Sequence, residues 1–441
     1  MGAFKSMNRP TKRHRFFIAF FLLSTSFLLP ASKSVHAQTA DDLQSKIDSR
    51  NSDIQALEKE IAGYQSQIDS LNGQASSLSG TIASLNLTQK KLAADIAVTQ
   101  DKIDATTIQI QQLAKQIDTT QGTISDDALY TDAAFRSMYE SGSRSTVVTF
   151  LASQSISAGL DAVNSLALVQ SGLQKRIISL NAAKTGLETN KAATETARTK
   201  LADLQKQQRD QRSIVLSTQA QQKALLAETK DSEASYQQLL AVKRTQEAAF
   251  EQEITALESQ LNLTVNASSL PPTGSAPLSW PLDQIAITQY FGNTPFATAN
   301  AQIYNNHGHD GVDFRASIGT PIKAALSGTV IGESNTDAIR GCYSFGKWIM
   351  LKHADGLSTL YAHLSLQSVA VGQSVSTGDI IGYSGNTGYT TGPHLHFGVY
   401  ATQGTEIKLF SQSVHCQGAT IPIAVLSAYL NPLSYLPPLK P

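Results

Sequence analysis

Along residues 41 to 125, apolar side chains return every seven positions. Ile47, Ile54, Ile61, Ile68, Ile82, Ile96, Ile103, Ile110, Ile117 and Ile124 share one position, with Ala75 and Gln89 in the same register. Leu57, Tyr64, Leu71, Leu78, Leu85, Leu92 and Leu113 fall three residues later. Ile at a and Leu at d is the seam of a left-handed coiled coil. Arg50, Gln89, Thr99, Thr106 and Thr120 interrupt it, and polar seam residues cost stability while fixing register. There is no proline between 31 and 270. The pattern therefore predicts one straight helix over 41–125, ~130 Å long at ~1.5 Å per residue. Around 126–170 the apolar groups shorten and glycines appear, which predicts short helices with turns near "SGS" and "SQS". A second helical stretch runs from about 166 to 261 in a looser register. Two long arms can bury one seam as an antiparallel hairpin within the chain, or as a parallel dimer. The choice of a and d residues does not decide between them.

The pattern changes again at "NASSLPPTGSAPLSWP", residues 266–281, whose proline, serine and glycine predict a linker. Beyond it, short β-branched runs alternate with glycines, as in "TPIKAALSGTVIG" and "VGQSVSTGDIIGYSG". No run has helical spacing, so an all-β domain follows. The expected organisation is a signal segment at 1–37, a coiled-coil hairpin at 38–262, a linker at 263–280 and a β domain at 281–441.

Composition adds the compartment. Formal net charge is zero, but residues 1–37 carry six Lys or Arg and no acid. Without them 29 basic side chains face 35 acidic ones, which disfavours nucleic acid as a partner. The basic start, the apolar run from Phe16 to Leu29 and the small residues before Ala37 have the layout of a secretory signal cleaved after Ala37. The run is short for a membrane span of ~20 residues, although an uncleaved anchor is the competing reading. Contact with a membrane is expected only through this segment or through a partner. The cysteines, Cys342 and Cys416, suggest a disulfide in an exported chain, against the alternative of two unrelated buried thiols.

Candidate chemistry gathers in the β domain. Six of the nine histidines lie between 307 and 396. In "GPHLHFGVY", His394 and His396 are two residues apart on a predicted strand and would share one face. Such a pair suits a metal or a proton-transfer site, or a plain structural role. His309 and Asp313 of "HDGVD" would complete a set of two imidazoles and one carboxylate. Catalytic zinc is held by three protein ligands with one open position. His307 reads as a loop residue and His353 as a strand-end or turn residue. The glycine-rich "GYSGNTG" reads as a turn, because no helix follows to complete a phosphate cradle.

The pieces "GHDGVDF", "GTPIKAALSGTV", "STLYAHLS", "GQSVSTGDIIGYSGNTG" and "GPHLHF" occur in an order that resembles the lysostaphin/LytM-type zinc endopeptidases of peptidoglycan. The resemblance covers about 280–400. It implies a compact antiparallel β fold, zinc on His309, Asp313 and His396, catalytic roles for His363 and His394, and a peptidoglycan peptide as substrate. The stretch "NTPFATANAQIYNNHG" and the cysteine-bearing segments depart from the family and put substrate choice in question. The rod, with "FRSMYESG" and "SQSISAGLDAV" at its middle, resembles the EnvC-type murein hydrolase activators. That likeness implies docking to an envelope or cell-division protein, or restraint of the head. It also leaves a second reading, a non-enzymatic activator of a separate amidase. A structural stalk bearing a carbohydrate-binding head is the third.

Overall fold

A computed structural model describes residues 40–72, 76–142, 150, 155–304 and 307–439. The expected signal segment lies outside them, as does most of the stretch from "SGS" to "SQS". No helix among the described residues is long and apolar enough to cross a membrane.

Among the described residues, four helices build the rod: α1 (Ala40–Asn72), α2 (Leu78–Gly142), α3 (Ile156–Thr229) and α4 (Glu233–Glu258). The helix expected to run unbroken from 41 to 125 is therefore two. α1 ends at Asn72, and Ser76 and Ser77 stand outside the helix before α2 begins at Leu78. These residue types compete with helix for backbone groups, and the Ser77 hydroxyl caps α2 by accepting from Gly80 N at 3.1 Å. The Glu233 carboxylate accepts from Leu78 N at 2.8 Å, tying α4 to the same point. The break lets α1 fold back on α2, where Arg50 meets Asp101 at 2.9 Å. α2 and α3 run antiparallel, with Gln89 donating to Gln222 at 2.7 Å and Arg176 pairing with Asp127 at 2.7 Å. The hairpin within one chain is thus the observed arrangement. The polar seam residue Thr99 is satisfied within its own helix: it is buried and donates to the Asp95 carbonyl. Left-handed backbone at Lys230 and Asp231 then turns the chain into α4.

The head is antiparallel. One sheet runs β1 (Ile287–Gln289), β2 (Val312–Arg315), β9 (His394–Ala401), β6 (Leu357–Gln367), β5 (Lys347–His353), β4 (Gly328–Asn335) and β7 (Ser374–Val375). β8 (Ile380–Ser384) joins β6 to β3 (Pro321–Lys323), and β12 (Tyr429–Leu430) pairs with β9. β10 (Thr405–Leu409) and β11 (Thr420–Ala424) form a separate hairpin. A short helix, α5 (Pro295–Ala299), lies between β1 and β2. Phe314, Leu395, Phe397, Val399 and Tyr361 centre the core.

Residues 266–281 are not a free spacer. Leu278 is buried in the head's core, and Leu278 N and Ser279 N donate to the carbonyls of Tyr435 and Ala325. The proline-rich composition marks an irregular strap that is packed on the head. Rod and head also touch directly. Leu85, Leu92 and Ile214 of the rod pack with Ile318 and Tyr383 of the head. Gly319, at φ +88°, sits so close that a Cβ there would meet Leu92 Cδ2 at 2.5 Å. Phe250 and Ile254 of α4 enter a second cluster with Phe410, Ile421 and the Cys342–Cys416 disulfide. Both cysteines are fully buried.

Candidate metal centre

Pairing across three strands assembles the site. β2 and β9 pair so that Asp313 lies opposite His396, and β6 and β9 pair so that Ala362 lies opposite His396. His394 and His396 share one face of β9, while Leu395 and Phe397 fill the core behind it. His309 is brought in by an isolated bridge to Gly292.

Three atoms form a tight triangle. His309 Nε2 lies 3.1 Å from His396 Nδ1, His396 Nδ1 lies 3.0 Å from Asp313 Oδ1, and His309 Nε2 lies 3.2 Å from the same oxygen. Ligands ~2.0–2.1 Å from a tetrahedral zinc ion are ~3.3–3.4 Å apart. The triangle therefore matches the donor set that zinc requires, to within a few tenths of an ångström. Asp310 offers a second carboxylate, within 4.8 Å of donor atoms of His309 and His396. Asp313 fits better, since its oxygen lies within 3.2 Å of both ring nitrogens and it is the more deeply buried acid. Burial would raise the pKa of Asp313, but His394, His309 and His396 hold it well below the ordinary carboxylate value. It is an anion ready for a cation.

Backbone carbonyls set the tautomers. A carbonyl only accepts, so each ring nitrogen facing one must carry the proton. His309 Nδ1 donates to Tyr290 O at 3.0 Å, which leaves its Nε2 lone pair inside the triangle. His363 Nδ1 donates to Thr387 O and His394 Nδ1 to Gly392 O, each at 2.8 Å. In the neutral form, each therefore turns its Nε2 lone pair towards the site. Their ring centroids lie 4.7 Å apart with the planes tilted by 56°, and His394 Nε2 is 3.7 Å from Asp313 Oδ2.

His363 reaches this position at a price in backbone strain. Its φ is +59°, a left-handed conformation rare outside glycine, at an irregularity in the pairing of β6. Without that kink, strand alternation would not aim the ring at His394. Burial, with His394 and His396 nearby, keeps the His363 pKa well below the usual histidine value, so it rests neutral.

The five residues singled out from the sequence converge on one cavity of about 410 Å³. His307 is exposed at its edge. His353 stands apart, buried between Ser327 O and the Thr359 hydroxyl. Sequence reasoning missed what closes the cavity. Glu247, Glu251 and Glu258 of α4 line it beside His309 and His396. Their spacing of four and seven residues places them on one helical face, a signal present in the sequence but unconnected there to the histidines.

Residues 307–409 match the profile of Peptidase family M23. This segment is a peptidase M23 domain. Lysostaphin of Staphylococcus simulans is 49% identical over 92 residues, 20% of this chain and 17% of that protein. The DD-carboxypeptidase/endopeptidase Mpg of Neisseria meningitidis is 44% identical over 89 residues, 20% of this chain and 19% of its own length. The peptidoglycan DD-endopeptidase ShyA of Vibrio cholerae is 38% identical over 116 residues, 26% and 24% of the two chains. The chain thus spans about a fifth of the length of these relatives. All five site residues lie inside the M23 domain.

Proposed function

We propose that the chain is an exported zinc endopeptidase that hydrolyses peptide bonds in peptidoglycan, and that its rod restrains it. The triangle of His309 Nε2, Asp313 Oδ1 and His396 Nδ1 carries this reading. The names of the M23 relatives, which include a peptidoglycan endopeptidase, support the substrate class. The basic-apolar start of the chain and the paired cysteines support export.

His309, Asp313 and His396 would hold the zinc. When bound, zinc supplies Lewis acidity that polarises a scissile carbonyl. The protein's own groups do the proton work. His363 and His394 each present a lone pair at Nε2, so one of them accepts the proton of the attacking water. The resulting imidazolium then donates, either to the developing oxyanion or to the departing amine. Buried carbonyl partners keep both rings aimed, so little reorganisation is needed as charge develops. Restraint follows from α4, whose glutamate face shares the cavity with these groups and stands where a peptide would have to lie.

Metal analysis of the purified mature chain tests the reading. About one zinc per chain is expected, lost in His309→Ala. Release of peptides from purified peptidoglycan, detected by mass spectrometry, should disappear in the same variant. A chain that holds no zinc yet stimulates a separate amidase would instead be an activator.

A further inference from the structure

The zinc reading leaves one nitrogen unexplained, and it identifies a residue. If His396 offers Nδ1 to the metal, its proton sits on Nε2. The other three imidazoles of the site hand their outer N–H to a backbone carbonyl. His396 has no such carbonyl among the described residues. Its Nε2 is buried and has no hydrogen-bond partner among them, on a residue 4% exposed. A buried N–H left unpaired costs ~1–3 kcal/mol, so a native partner is expected.

One acceptor stands at that edge of the ring. Asp310 Oδ1 lies 3.5 Å from His396 Nε2, just beyond hydrogen-bond length. The local backbone is shaped to bring it there. Gly311 runs against the same edge, where a Cβ would meet His396 Cε1 at 2.7 Å and Nε2 at 2.8 Å. Only a residue without a side chain lets the Asp310 segment approach so closely. On the other side, the hydroxyl of buried Tyr400 faces Asp310. Tyr400 is four residues beyond His396 on β9 and so on the same face. Gly398, between them, leaves room for the tyrosine ring, since a Cβ there would meet Tyr400 Cε2 at 2.7 Å.

We propose that Asp310 is the positioning residue of His396: its carboxylate accepts the Nε2 proton, fixes the tautomer that frees Nδ1, and is itself held by the Tyr400 hydroxyl. Asp310 is then not a ligand, although it follows His309 directly. The segment His309–Asp313 grips the site from two sides, with His309 and Asp313 on the metal and Asp310 behind the ring. This rests on the zinc reading above and adds to it a role for a fourth side chain. Carboxylate partners of metal-bound imidazoles raise ligand basicity, and their loss typically lowers metal affinity 10–100-fold.

Zinc affinity of the mature chain, measured by chelator competition, is the test, with the His396 tautomer followed by nitrogen NMR. Asp310→Ala should weaken zinc 10–100-fold and speed solvent exchange of the Nε2 proton at least tenfold. Asp310→Asn keeps an acceptor oxygen and should recover most of the affinity. Affinity within twofold of the parent in Asp310→Ala overturns the proposal. So does complete loss of zinc in Asp310→Asn together with retention in Asp313→Asn, which would make Asp310 the ligand. A parent chain that binds no zinc at all sinks the zinc reading itself, which separates the two failures.

Discussion

Phe250 is the residue on which restraint by α4 can be tried. Its side chain is fully buried, its ring centroid lies 5.1 Å from that of Phe410, and it shares a cluster with Ile254 and the disulfide. It is not part of the cavity lining and packs instead into the seat that holds α4 down. Truncating a buried phenylalanine to alanine costs ~3–5 kcal/mol. Here the loss falls on the docked helix, because the released helix does not make these contacts. Each ~1.4 kcal/mol is tenfold in an equilibrium, so Phe250→Ala should raise the released fraction ~10²–10³-fold until release is complete. Further contacts hold α4, including Lys243 over the Tyr343 ring and the Tyr429 hydroxyl on Glu258. The gain should therefore be sought at the low end of that range. Two measurements on the same sample decide the matter: hydrogen exchange along 233–258 and the rate of peptide release from peptidoglycan. Faster exchange with a faster rate is expected. Faster exchange with an unchanged rate would show that α4 covers the cavity without restraining it, and the argument would fail.

Two further outcomes follow from the same seat. Burial, then the neighbouring acids Glu251, Asp310 and Asp337, push the Glu247 carboxyl well above the ordinary carboxylate range, and burial with Asp310 and Glu258 does the same to Glu251. A raised carboxyl binds its proton more tightly when α4 is docked, so docking is strongest below the ordinary carboxylate range and weakens as pH climbs through the raised values. In metal-free protein, exchange in α4, corrected for the intrinsic rate, should be faster at pH 8 than at pH 5; a Glu247→Gln chain that keeps the full slope would refute this. The disulfide closes a loop over a sequence separation of 74 residues. Replacing both cysteines by alanine should lower stability by up to ~4 kcal/mol on the chain-entropy account, seen as a lower Tm, and should loosen α4 as well; unchanged exchange in α4 would detach the bridge from the seat.

The rod's helices were legible because a seven-residue repeat is a local signal that one seam makes plain. Its break was not, because the repeat carries through Leu71 and Leu78 on the same d position. What stops the helix is competition from Asn72, Ser76 and Ser77 for backbone groups, together with a carboxylate, Glu233, that arrives from more than 150 residues away. The strap at 266–281 misled for the opposite reason. Proline and glycine report the absence of regular structure, and Leu278 shows that irregular backbone can still be packed into a core.

The site divides along the same line. His394 and His396 were readable as a pair because strand alternation is fixed by covalent geometry. His309, Asp313 and His363 were readable because their motifs are dense. Nothing in a linear pattern tells that His363 depends on a left-handed kink, since that is the outcome of three strands being paired at once. Nor does it tell that α4 returns to the cavity. The acidic face of α4 is the part least suited to lie there by itself: Glu247 is buried with one oxygen unpartnered among the described residues, facing a groove that already holds Asp310 and Asp313. Apolar burial at Phe250 and Ile254 has to outweigh that repulsion. A helix held by an apolar anchor on one side and opposed by like charge on the other is placed to be released by small changes at either. This is why these tests act on the anchor, the charge and the disulfide, and leave the five residues of the candidate site untouched.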